Sequence, residues 1–247
     1  MAKERYALID AIRGLTVLSM VIFHFSYDVF MVYGRDPAWY GRPAVCAWQQ
    51  SICWTFILVS GFVWSWGRKS NLRRGIALNL LGLLITAVTA IALPQETVRF
   101  GVLNFLGCAA LLMIPWERGL RRILAPAGLL GSFLLFWLCR GIPEGFVGVE
   151  GLFELRLPEQ LYRVGFLAPL GFPGPDFSSS DFFPVLPWFF LFSGGYFFQR
   201  IFMERESWKR LARLRVPLLD WLGRKSIWIY LIHQPAAMLV CCLLFSQ

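Results

Sequence analysis

The chain is 247 residues long, 57% apolar, 17% aromatic and only 16% charged, with 24 Lys+Arg against 15 Asp+Glu and a net charge of +9. A soluble domain runs nearer a quarter charged, so composition excludes a water-soluble globule, as it does disordered, collagenous and disulfide-stapled classes. In so apolar a chain the basic excess encodes orientation in a bilayer rather than a nucleic-acid footprint.

The pattern predicts an all-α integral membrane protein, one polytopic domain over 1–247 with about seven transmembrane helices. A bilayer core of ~30 Å takes roughly 20 mostly apolar residues, because every backbone polar group must be satisfied within the helix. Seven stretches qualify: 7–32, 44–66, 76–93, 100–116, 123–139, 183–202 and 226–245. The first is long for a cleavable leader and carries Asp10, Arg13 and Asp28, so it reads as a retained helix. With the N-terminus cytoplasmic, 17 basic residues fall inside, from Lys3 and Arg5 through the run at 200–225. Six fall outside, Arg13 lies within the first span, and the C-terminus is external.

Two connections stand apart. The segment 140–182, external and between spans five and six, is rich in Gly, Pro and Phe, and its apolar piece 164–172 is too short to span. It reads as a lid over the outer mouth. The basic segment 200–225 sets Trp208, Leu211 and Leu214 at helical spacing. It reads either as an amphipathic helix on the anionic inner leaflet or as a cationic mouth for a polyphosphate cofactor. Trp39, Trp48, Trp66, Trp116 and Trp188 read as interfacial belts. The six cysteines lack zinc spacing, so no metal is expected, and a Cys46–Cys139 disulfide at the outer face is left open. Soluble-enzyme signatures are absent.

The informative charges are those within spans, where an ionisable group costs at least about 2.5–3.5 kcal/mol at the bilayer centre. At 100° per residue, Asp10, Arg13, His24 and Asp28 share one face of the first helix, with Tyr6 beside them. The opposite face (Leu8, Leu15, Val17, Ile22, Val29) is apolar. Asp28 is one turn from His24 and is expected to accept its imidazole N–H, while Asp10 is placed to hold the Arg13 guanidinium. Arg13 and His24 are eleven residues apart, ~16 Å of helix rise. The last span adds Ser226, Tyr230 and His233, followed by Gln234 and Pro235, whose missing N–H favours a kink. Either cluster serves as a packing network or as a site. Asn104, Asn79 and Ser60 are weaker candidates, and Asp181 reads as a cap on the sixth span or as lining the site.

These residues carry a resemblance. Ile9-Asp10-Ala11-Ile12-Arg13-Gly14-Leu15, followed by His24, resembles the first-helix signature of the transmembrane acyltransferases. The segments 100–107, 181–188, 222–226 and 233–235 extend it. Together they are similar to short bacterial relatives of the heparan-α-glucosaminide N-acetyltransferase catalytic domain, except that Asn104 stands where many relatives carry His. The resemblance implies acyl transfer, acetyl from acetyl-CoA, across the bacterial inner (plasma) membrane to an external hydroxyl or amine acceptor on a glycan or glycolipid. His24 and Asp28 would be catalytic, and Arg13, Asp10 and Asn104 would bind the acyl-CoA. Asp181, Tyr230, His233 and Gln234 would line the site. An oligomer is compatible with this picture, and a nucleic-acid partner is not. The reading from another class is a small transporter or exporter that uses the first-helix stripe as a proton or substrate relay.

Overall fold

The computed structural model describes residues 6–245; Lys3 and Arg5, counted above on the cytoplasmic side, lie outside them. Helix dominates. The long helices are α1 (Ala7–Tyr27), α2 (Pro43–Trp64), α3 (Asn71–Ala92), α4 (Val102–Leu120), α5 (Ala125–Cys139), α6 (Val185–Met203) and, after two short helices, α9 (Ser226–Phe245). Each of the seven predicted segments thus contains a helix. Among the described residues, four stretches are long and apolar enough to cross a membrane: Ala7–Val32, Pro43–Ala92, Ala125–Glu144 and Ser226–Phe245. The fifty-residue stretch holds both α2 and α3, joined by a 3-10 turn at Ser65–Ser70. The protein is therefore a predominantly helical membrane protein.

Two local expectations are corrected. The chain is not wholly helical, because β1 (Phe146–Val149) pairs antiparallel with β2 (Phe153–Arg156) in the long connection before α6. Gly148 (φ +140°) and Gly151 (φ +76°) hold backbone angles that disfavour a Cβ, which is what lets this short hairpin close. The basic segment is not one helix but two, α7 (Glu206–Ala212) and α8 (Pro217–Arg224). Pro217 explains the break: it disfavours helical geometry at Val216 and sits well in the first turn of the helix that follows.

The chain divides into two compact units. The first comprises residues up to Val59 and from Phe202 onward. Its apolar core is Met20, Phe23, Trp39, Val45 and Ile52, with Tyr27, Phe30, Trp48 and Tyr230 packed around it. Trp39 is buried in this core and Trp48 packs against it, the Trp48 indole N–H donating to Ser19 Oγ at 2.7 Å. Where α1 meets α8, both helices use glycine. A Cβ on Gly14 would lie 2.0 Å from the Leu219 carbonyl oxygen, and one on Gly223 would lie 1.8 Å from that of Asp10. Small residues here let backbones touch, the usual device of close membrane-helix crossings.

The second unit is Ser60–Ile201. In it α3 and α4 pair along an amide seam. Asn79 Nδ2 donates to the Gly75 carbonyl (3.0 Å), Asn104 Nδ2 to the Asn79 carbonyl (3.3 Å), and Cys108 Sγ to Asn79 Oδ1 (3.4 Å). At one end Glu117 binds both Arg68 and Arg121, and Arg200 donates to the carbonyls of Leu120 and Ile123. Cys46 and Cys139 are free thiols.

The α1–α8 crossing yields a test. Gly14→Ala should lower stability by about 2–3 kcal/mol, since the new methyl meets backbone that cannot swing away. Gly119→Ala, with nothing within 4 Å of the added carbon, should be neutral or slightly stabilising. Thermal unfolding of the two detergent-solubilised variants checks the contrast, and equal melting temperatures would remove the crossing as a stability determinant.

Candidate active site

The first unit brings most of the candidate residues together. Asp28, at the junction where α1 passes into a π-helical turn (Asp28–Val32), is only 1% exposed. Gln234 Nε2 on α9 donates to both of its carboxylate oxygens, at 2.9 and 3.1 Å. Asp28, expected to accept a hydrogen bond from His24, accepts these two from Gln234. The carboxylate takes the neighbouring helix's amide, a donor that reaches both oxygens at once.

His24 instead meets His233. The chain's only two histidines lie with ring centroids 4.9 Å apart and planes at 67°. His233 Nδ1 is 2.7 Å from the Tyr230 carbonyl oxygen. A carbonyl can only accept, so Nδ1 carries the proton and Nε2 presents a lone pair. That Nε2 is buried without a hydrogen-bond partner among the described residues, as is the adjacent Gln234 Oε1. The Tyr230 ring lies 5.6 Å from that of His233, and Phe23 sets its edge against His24 at 5.9 Å. Two buried acceptors thus lie on consecutive residues of α9, one of them on the ring that packs against His24. Buried acceptors of this kind are ordinarily hydrogen-bonded.

Farther along α1, Arg13 Nη1 lies 3.8 Å from Asp10 Oδ1, the pairing expected from their spacing, with both side chains half-buried. Tyr6, expected beside them, sets its ring at right angles to Phe202 at 5.4 Å. α9 runs as one helix through Pro235.

The remaining candidates belong to the second unit. Asn104 is buried and engaged with α3. Asp181 caps α4 rather than α6: its Oδ2 accepts the Val102 N–H at 3.2 Å. The loop around it is tied down by Arg99 N–H to Ser179 Oγ (2.8 Å) and Ser180 Oγ to the Glu96 carbonyl (2.9 Å). Burial pushes the Asp181 carboxyl up to about 6, partly offset by the Val102 N–H.

A model of the family described as heparan-alpha-glucosaminide N-acetyltransferase, catalytic, matches residues 5–235. The chain belongs to that family. Membership points to membrane acetyltransferase-type activity, and acetyltransferases of this type use acetyl-CoA as donor in general terms. No curated protein and no solved structure matches the chain.

Sequence reasoning identified the individual residues but missed two partnerships, Asp28 with Gln234 and His24 with His233. A usable signal was present: few polar side chains lie inside the apolar spans, and each must find another.

Two tests follow from these contacts. Gln234→Leu removes two hydrogen bonds to a buried carboxylate and should cost about 2–3 kcal/mol. Adding Asp28→Asn should recover part of that loss, and additive melting-temperature changes would show that the two residues are uncoupled. For Asp181, the folded carboxyl holds its proton up to pH about 6, against an ordinary 3.8. Its contribution is therefore full below the unfolded value and is lost as pH rises through the folded one, by up to about 3 kcal/mol. Asp181→Asn keeps an acceptor for Val102 without the charge. Its stability relative to wild type should grow between pH 4 and 6.5 and then level off; a difference independent of pH would exclude this role.

Proposed function

We propose that this protein is a seven-span membrane acetyltransferase, with its N-terminus cytoplasmic and its C-terminus external. It moves an acetyl group from cytoplasmic acetyl-CoA to a hydroxyl or amine on an extracytoplasmic glycan or glycolipid. The observation that carries the reading is the meeting of His24 with His233 and its open Nε2, in a chain of this family.

In this reading His24 is the general base. It takes the proton of the acceptor O–H or N–H as oxygen or nitrogen attacks the thioester carbon. The C–S bond breaks and the sulfur leaves as the thiolate, which is then protonated to the free thiol. His233 Nε2 and Gln234 Oε1 receive donor groups of the acceptor, and Asp28 fixes α9 beside α1 through Gln234. Asp28 is thereby a positioning residue. Arg13, held by Asp10, lies ~16 Å of helix rise from His24, a separation that suits phosphates at one end of an extended arm and the reacting thioester at the other. The two side chains lie on one helix, so that separation is rigid. Asn104 serves packing in this account, consistent with its bond to α3.

Incubating the purified protein with radiolabelled acetyl-CoA and candidate amino- and hydroxy-sugar acceptors tests the reading directly. Turnover should be present in wild type and fall by about 10²–10⁴-fold in His24→Ala, while acetyl-CoA binding is retained. Unchanged turnover in that variant would remove His24 from the chemistry. A burst of free CoA without acceptor would point instead to an acetyl-His24 intermediate. Absence of any transfer, with solute transport in its place, would sink the enzyme reading.

A further inference from the structure

The basic elbow formed by α7 and α8 has a partner that its surface chemistry specifies. Over 205–225 the chain carries seven Lys and Arg against two acids. Its inward side is spent on the first unit: Ala212, Asp220 and Gly223 are buried, and α8 rests on Asp10 and Gly14 of α1. The outward side is both greasy and cationic. Trp208, Leu211, Leu214, Val216, Leu218 (69% exposed) and Trp221 (50%) are all exposed, interleaved with exposed Arg210, Arg213, Arg215 and Arg224.

Water is a poor neighbour for that apolar row, and a wholly apolar partner is a poor neighbour for the guanidinium groups. The position of the elbow resolves the conflict. Its contact with α1 falls within the first two turns of the apolar stretch Ala7–Val32, at the end of a membrane helix, where acyl chains give way to headgroups. Trp and Leu beside Arg are the residues an interfacial helix places at that boundary, the rings and aliphatic groups below and the charges among the phosphates.

We propose that the α7–α8 elbow is a docking surface for anionic phospholipid headgroups. Seated there, it is a strut: leaflet charge holds α8 in place, and α8 holds the Asp10–Gly14 segment that carries Arg13. The exposed Arg210, Arg213, Arg215 and Arg224 thus face lipid rather than the acyl-CoA donor.

Hydrogen–deuterium exchange of the full-length protein in lipid nanodiscs tests this. Peptides covering 205–225 should exchange about tenfold more slowly in phosphatidylcholine–phosphatidylglycerol (7:3) than in phosphatidylcholine alone, given the contribution of each basic side chain near an anionic surface. About 0.5 M salt should remove most of that difference by screening. The exposed double variant Arg210→Gln/Arg215→Gln should show a much smaller difference while keeping the wild-type exchange of α9. Equal exchange in the two lipids would overturn the proposal. So would protection of these peptides by added acetyl-CoA in neutral nanodiscs with none from phosphatidylglycerol, which would make the elbow a cofactor mouth. The readout is independent of turnover, so lipid-dependent protection in a protein that transfers no acetyl group would sustain this inference while removing the proposed function.

Discussion

A carboxylate buried in an apolar helix must be met by a donor, and Asp28 is met by Gln234. The two hydrogen bonds fix more than one side chain. They tie α9 to α1 at one position along each helix. Beside that tie His233, the neighbour of Gln234, lies against His24. The two histidines thus meet next to a bond made one residue away. A buried charge tolerates misalignment poorly, since removing its partner costs more than the bond itself contributes. The Asp28–Gln234 joint is therefore a positional constraint as much as a source of stability.

The far part of α1 is held by a different kind of contact. At Gly14 and Gly223 the helices touch through backbone alone, so α8 cannot slide without steric conflict. α1 is clamped at one end by packing and at the other by hydrogen bonding, with Arg13 beside the first clamp and His24 beside the second. A rigid helix carrying a cation and a base at fixed separation is a suitable frame for a substrate that bears phosphates and a reacting carbonyl at its two ends.

Much of this was legible in the sequence. Apolar length gave the helices, because a segment that must satisfy its own backbone has little alternative to a helix. The spacing of Asp10 and Arg13 gave their ion pair, because the geometry within one helix is set by its period. What periodicity could not supply was choice between helices. Asp28 lies one turn from His24 and also within reach of α9, and which donor it takes depends on packing that no local pattern encodes. The same limit misplaced Asp181, whose capping partner is the N-terminus of α4, reached across a loop some eighty residues away in sequence. The hairpin was hidden because two four-residue strands leave little period-two signal within a Gly-rich segment.

The two polar clusters among the helices differ in one respect that separates packing from chemistry. Along the α3–α4 seam, Asn79, Asn104 and Cys108 bond to one another and to backbone, and none of their polar atoms is both buried and unpartnered. These bonds tie α3 to α4. In the α1–α9 cluster, by contrast, two of the four buried unpartnered side-chain atoms among the described residues, His233 Nε2 and Gln234 Oε1, stand on consecutive residues beside His24. The other two, Ser65 Oγ and Asp220 Oδ1, stand apart in sequence with no histidine neighbour. Both open atoms of α9 are acceptors, because the Nδ1 proton of His233 goes to the Tyr230 carbonyl and the amide hydrogens of Gln234 go to Asp28. Packing alone would leave such a pair as an uncompensated cost. A ligand that brings N–H or O–H groups would remove that cost, and the proposed acyl acceptor carries such a group.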